Sequence, residues 1–183
     1  MAMTFRGVFA IPPTPFTEDD RVDIQSLRQT VDFCIDAGSH GIVAPVNASE
    51  GPFLTDEERR QVVETLVDQV AGRIPVMIGV SGVSTRASVE FARHAESAGA
   101  GAIIAMPPYV KHATPAEIVD FYAALARACR LPICIQNFVA PVGTPMPAAF
   151  VARLLREIDT VVYVKEETAY APQLLTEELA LAG

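Results

Sequence analysis

Lys165 is the side chain whose surroundings promise chemistry most directly. It follows the apolar run Val161-Val162-Tyr163-Val164, which would set its amine at the C-terminal end of a strand. Burial there disfavours the ammonium, and a free amine is a nucleophile toward carbonyl carbon. The plainer alternative is that Lys165 merely opens a solvated loop with Glu166 and Glu167. In Asn47-Ala48-Ser49 the asparagine reads as holding its own loop through backbone contacts. Glu50 beside it fits loop organisation better than acid–base work. His40, His94 and His112 lack metal-ligand spacing, with His94 in a helical pattern and His112 in a polar loop. Cys34, Cys129 and Cys134 are an odd number without C-x-x-C spacing, each in an apolar stretch, so they read as buried reduced thiols. G-x-S-x-G, Walker and H-E-x-x-H motifs are missing from the sequence.

These residues need a scaffold, and the chain spells one out. Six short apolar runs recur at roughly thirty-residue intervals. They are Gly7 to Ile11, Gly41 to Pro45, Pro75 to Gly79, Ala102 to Met106, Pro132 to Asn137 and Val161 to Lys165. Their polarity is continuous rather than alternating, as expected of strands covered on both faces. Helical spacing fills the gaps. Ile24, Leu27, Val31, Cys34 and Ile35 share one face behind Asp23 as N-cap, with Gly38 as terminator. Thr55-Asp56-Glu57-Glu58 reads as a capping box before a second helix, and Thr114-Pro115-Ala116-Glu117 as another before the fourth. The third runs from near Ser84 to Gly99, the fifth begins around Pro147, and the sixth fills Ala171 to Ala182. No linker interrupts the series, so residues 1–183 read as one domain.

Alternating strands and helices imply a parallel sheet, either open and doubly wound or closed into a barrel. Length favours the open sheet, because a closed eightfold barrel typically takes ~250 residues. The loop after the first run argues the other way. It reads Ile11-Pro12-Pro13-Thr14-Pro15, and prolines cannot supply the row of N–H groups by which a dinucleotide fold cradles phosphate.

Composition narrows the partners. The 183 residues are 50% hydrophobic and 20% charged with a formal net charge of -8 and no basic run, which excludes a nucleic-acid footprint. The first apolar run ends at Pro12-Pro13, too short for a membrane span and without a signal-peptide cleavage pattern, so a soluble cytoplasmic protein is expected. Asn47-Ala48-Ser49 also matches a glycosylation sequon, without a secretion signal to expose it to that machinery.

Several segments together resemble the dihydrodipicolinate synthase/N-acetylneuraminate lyase family. Pro13-Thr14-Pro15-Phe16 is similar to its opening loop, and Val46-Asn47-Ala48-Ser49-Glu50-Gly51 stands where the family has G-T-T-G-E-S. Gly79 to Thr85 resembles its glycine-rich loop after strand three, and Met106-Pro107-Pro108-Tyr109 its T-P-Y-Y turn after strand four. Gln136-Asn137-Phe138 through Gly143 sits on Y-N-V-P-S-R-T-G, and Val164-Lys165-Glu166 on the strand-six segment ending in the Schiff-base lysine.

The resemblance implies an α/β fold of the (β/α)8 TIM-barrel class, with about six βα units in this chain and strands seven and eight missing, which reads as a fragment. It implies a class I lyase or aldolase in which Lys165 condenses with a 2-keto acid, pyruvate-like or sugar-derived, without a cofactor or metal. It also implies a homo-oligomer, dimer or tetramer. Asn47 and Ala48 take the places of the paired threonines that bind the substrate carboxylate, with Ser49 next to them. Tyr109 matches the relay tyrosine that reaches a neighbouring subunit's site. Gln136 stands where the family has its active-site tyrosine, and an amide cannot replace a phenol as proton shuttle. Pro141 replaces the arginine that binds the second substrate of dihydrodipicolinate synthases, which argues against that reaction. Two other readings stay open: a non-catalytic small-molecule-binding barrel, and a metal-dependent aldolase using Glu50 and Glu166.

Overall fold

A computed structural model describes residues 5–138 and 143–183. The order is β1 (Phe9–Ala10), α1 (Ile24–Asp36), β2 (Gly41–Val43), two short 3-10 turns (Asn47–Ser49 and Gly51–Phe53), α2 (Asp56–Val70), β3 (Val76–Gly79) and α3 (Thr85–Ala98). There follow β4 (Ala102–Ala105), α4 (Pro115–Ala128), β5 (Ile133–Phe138), α5 (Ala148–Glu157), β6 (Val161–Glu167) and α6 (Ala171–Ala182). The strands succeed one another in chain order through a six-stranded sheet. All six expected apolar runs carry a strand. Pro45, Pro75 and Pro132 fall just outside theirs, as residues without an N–H for the ladder should. The sixth strand passes its expected end at Lys165 and continues to Glu167.

The chain divides into two compact units. The first reaches to Val80 and includes His94–Ile103; the second comprises Ser81–Arg93 and Ile104–Gly183. In the first, β1 pairs with β2 and β2 with β3, all parallel, with Phe9 opposite Gly41 and Ile42 opposite Val76. Leu27 and Val31 of α1 and Val62, Val63, Leu66 and Val70 of α2 are buried, each large aliphatic contributing about 1.5–3 kcal/mol. Both helix starts behave as the sequence reads. Asp23 accepts from Ser26 N at 3.0 Å, and hydrogen bonds from Ser26 hold its carboxyl below the usual range. Thr55 and Glu58 form a reciprocal capping box.

In the second unit β5 and β6 pair in parallel with one irregularity. Ile133 lies opposite Val161, but Cys134 lies opposite Tyr163, so Val162 is an extra residue on β6. From there the register runs evenly through Gln136–Lys165, Asn137–Glu166 and Phe138–Glu167. Ile118, Phe121, Tyr122 and Leu125 of α4 and Val151 and Leu154 of α5 are buried. Thr114 and Glu117 form the second reciprocal capping box, with Pro115 opening the helix. The Tyr122 hydroxyl, fully buried, donates to Ala105 O at 2.8 Å, and burial pushes its phenol well above the usual range. The thiols are free, but Cys34 corrects the expectation of uniform burial. It lies partly exposed on α1, at the edge of the apolar face, while Cys129 and Cys134 are buried. Among the described residues no helix is long and apolar enough to cross a membrane.

Candidate active site

Successive residues of a strand point to opposite faces. The β5–β6 register therefore places Cys134, Gln136, Tyr163, Lys165 and Glu167 on one face and Asn137, Val164 and Glu166 on the other. On the first face a carboxylate joins two side chains. Lys165 Nζ lies 2.9 Å from Glu167 Oε1, and Gln136 Nε2 donates to Glu167 Oε2 at 2.7 Å. Gln136 is buried, whereas the Lys165 and Glu167 side chains keep 30% and 29% exposure. The amine is thus neither sealed off nor out in a solvated loop. It sits at a partly open strand end with one carboxylate oxygen against it. Beneath it burial raises the Cys134 thiol to about 12, which leaves Cys134 a neutral, inert floor.

The opposite face holds the strands in place. Asn137 Nδ2 donates to Met146 O at 2.9 Å and to Glu166 Oε2 at 2.7 Å, while Asn137 Oδ1 accepts from Met146 N at 2.9 Å. Glu166 Oε1 also accepts from Thr168 N at 3.0 Å. One buried asparagine thereby ties the chain after β5 to the end of β6, in the register that brings Gln136 to Lys165. Glu166 is engaged in this structural role. Tyr109, in the turn after β4, is half-buried, and among the described residues it makes no hydrogen bond to Lys165 or Gln136. Pro141, expected in place of the family's arginine, lies outside the described residues.

In the first unit lies the loop after β2. Ser49 is buried, and its polar groups are engaged locally. Its N–H donates to Val46 O at 3.1 Å, its hydroxyl accepts from Val46 N at 2.8 Å, and its carbonyl accepts from Thr14 Oγ1 at 2.7 Å. Asn47 is half-buried and Ala48 and Glu50 are exposed. Glu50 takes a left-handed φ of 59° between the two 3-10 turns. Arg59, buried at 6% exposure, donates to Gly79 O at 2.6 Å and to Gly51 O at 3.4 Å, holding the loop from below. Gly79 can serve there only as glycine, because a Cβ would collide with Pro45 O. Two histidines make local contacts, with His40 Nδ1 accepting from Val8 N at 3.0 Å and His94 Nε2 lying 2.9 Å from Glu64 Oε1, while His112 is exposed.

Sequence reasoning missed Glu167, Asn137, Thr14 and Arg59. For Glu167 the signal was present: Lys165 and Glu167 are two apart, so on any strand that continued past the lysine they share a face.

The sequence profile of the dihydrodipicolinate synthetase family matches residues 4–177. The chain is 39% identical over 97% of its length to L-2-keto-3-deoxyarabonate dehydratase of Azospirillum brasilense, covering 58% of that protein. It is 34% identical to 4-hydroxy-tetrahydrodipicolinate synthase of Rhizobium meliloti, over 96% of this chain and 60% of the relative. Among solved structures, YagE, a prophage protein from E. coli K12 belonging to the dihydrodipicolinic acid synthase family and crystallised with pyruvate, matches with a TM-score of 0.89 and 28% identity. That match covers 96% of this chain and 59% of the other. A dihydrodipicolinate synthase crystal structure matches with a TM-score of 0.91 and 30% identity, over 97% and 61% of the two chains. The fold is therefore that of six βα units of the TIM-barrel class, and the chain spans about 60% of the length of these relatives.

Proposed function

The chain belongs to the dihydrodipicolinate synthetase family, and from that premise we propose that it forms the Schiff-base-bearing part of a lyase that dehydrates a sugar-derived 2-keto acid. Lys165 is the nucleophile in this reading. Its amine adds to the keto carbon, the former carbonyl oxygen leaves as water, and an iminium remains. The adjacent C–H then loses a proton, and its electron pair expels a hydroxyl one carbon further along as a second water. The single observation that carries the reading is the carboxylate of Glu167, 2.9 Å from Lys165 Nζ and held on its other oxygen by Gln136. A carboxylate there can take one proton from the lysine ammonium and give it to the carbinolamine hydroxyl, which leaves as the first water, and can then carry the proton of the adjacent C–H to the hydroxyl expelled as the second water. Gln136 cannot titrate, so it orients Glu167 and leaves the proton transfer to it.

The same arrangement speaks against assigning dihydrodipicolinate synthase activity, because a glutamine–glutamate pair replaces the family's tyrosine. The likeness to a 2-keto-3-deoxy acid dehydratase points in the same direction. Binding of the substrate carboxylate falls to the Asn47-Ala48-Ser49 loop by its likeness to the family's threonine pair. Assembly as a homo-oligomer, with Tyr109 near the contact, belongs to the same proposal and is checked by light scattering.

Incubation with pyruvate and borohydride is expected to add a reduced pyruvyl group at Lys165, located by peptide mass mapping and lost in Lys165→Met. Pyruvate that raises the melting temperature without labelling Lys165 would replace the lyase reading by a non-catalytic binder.

A further inference from the structure

α6 buries one side chain fully, and it is an acid. Glu178 is 3% exposed, whereas Leu179 beside it is 75% exposed. Its carboxyl borders the apolar groove between β6 and α6, among Val162, Val164 and Leu175. An ionised carboxylate in such a place is costly unless a donor meets it, and neither of its oxygens finds one. What Glu178 faces is the carboxylate of Glu166. Two carboxylates offer each other acceptors alone, so a hydrogen bond between them requires a proton. Glu166 is itself fixed, through Asn137 and Thr168 N, and adjoins Lys165 in the chain.

We propose that Glu178 is a positioning residue for the Lys165 strand, holding a proton that it shares with Glu166 and that fastens α6 to the end of β6. The charges around it leave the proton without a substitute. From β6 it meets Glu166, while Lys165 and Glu167 pair with each other on the opposite face. β5 presents the neutral amide of Asn137. On α5, Arg153 pairs with Glu157, and Arg156 donates to Leu181 O at the end of α6. α6 itself adds Glu177, a further negative charge. Burial first, then the charge and hydrogen bond of Glu166, raise the Glu178 carboxyl from its ordinary 4.5 to about 7. A carboxyl raised in the folded state favours folding most when protonated. The link is intact below the unfolded value and is lost as pH climbs from about 4.5 through about 7.

The test compares the wild-type chain with Glu178→Gln, whose amide N–H can donate to Glu166 at any pH. From about pH 4.5 to about pH 7 the melting temperature of the wild type relative to that of E178Q is expected to fall by several degrees and then to level off. Parallel pH slopes in the two proteins would overturn the proposal. Should E178Q fail to fold, amide exchange of the wild type decides. After correction for intrinsic rates, protection of α6 relative to α5 should drop between about pH 5 and about pH 7, and equal protection is the contrary result. If the link also positions Lys165, labelling by pyruvate and borohydride loses additional rate over the same window in the wild type compared with E178Q. That arm rests on the Schiff-base reading, whereas melting does not. No labelling in either protein, with the melting curves still diverging, strikes the lyase reading and leaves the proton link standing.

Discussion

The loop after β2 and the paired ends of β5 and β6 both carry polar residues proposed to meet substrate, and they use those residues in opposite ways. In the loop, Ser49 directs its N–H and hydroxyl to Val46 three residues away, and Thr14 closes over its carbonyl. Those bonds are buried, and each has a backbone group for a partner. At the strand ends the bonds run from side chain to side chain between residues about thirty apart, and Lys165 and Glu167 stay about 30% exposed. The loop is thus a mould whose polar groups are satisfied by backbone, whereas the strand ends carry ionisable groups held by strand register and left partly open to solvent.

The sharpest way to break that contrast is to shift the register. Beyond the irregularity at Val162, Tyr163 lies opposite Cys134 and Lys165 opposite Gln136. Deleting Val164 while Tyr163 stays opposite Cys134 moves Lys165 and every later β6 side chain to the other face. Lys165 then lies opposite Ile135, and borohydride labelling by pyruvate is expected to vanish, whereas Val164→Ala keeps it. Persistent labelling of the deletion variant would show that the lysine finds its position without this register.

Next in size is Glu167→Gln. The amide preserves the shape and can still accept from Lys165, but it cannot carry a proton. Imine formation at neutral pH is expected to slow about 10²-fold or more, with the melting temperature little changed. An unaltered rate would reduce Glu167 to a structural partner of Lys165.

Legibility followed the same division. Motifs closed within four residues, such as Thr55 with Glu58, Thr114 with Glu117 and Asp23 with Ser26, were readable because the sequence contains both partners of each bond side by side. The six apolar runs were readable because burial of a parallel strand on both faces leaves continuous hydrophobic text. The Lys165–Glu167–Gln136 constellation was only half readable. The lysine stood out at the end of an apolar run, but its partner depends on β6 continuing past that run, and the continuation is fixed by pairing with β5. Glu178 was hidden for a related reason: a glutamate among leucines reads as the wet face of a helix, and its burial against Glu166 follows from the packing of α6 on β6.

The smaller effects separate holding from reacting. Asn137→Ala leaves the N–H and C=O of buried Met146 and one oxygen of Glu166 without their partner. Its expected cost is about 2–4 kcal/mol in urea unfolding, since each orphaned buried group carries its own desolvation penalty. Because Asn137 also ties β5 to β6, residual labelling of Lys165 should weaken along with stability. Ser49→Ala is the matching change in the mould. It removes an acceptor for Val46 N and costs about 1 kcal/mol, while Lys165, Glu167 and Gln136 keep their contacts with one another. Labelling at saturating pyruvate should then proceed at the wild-type rate, and any loss should show as a higher pyruvate concentration at half-maximal labelling. If Ser49→Ala instead slowed the saturated rate, the loop would take part in the reaction itself, and the division between mould and reacting pair would fail.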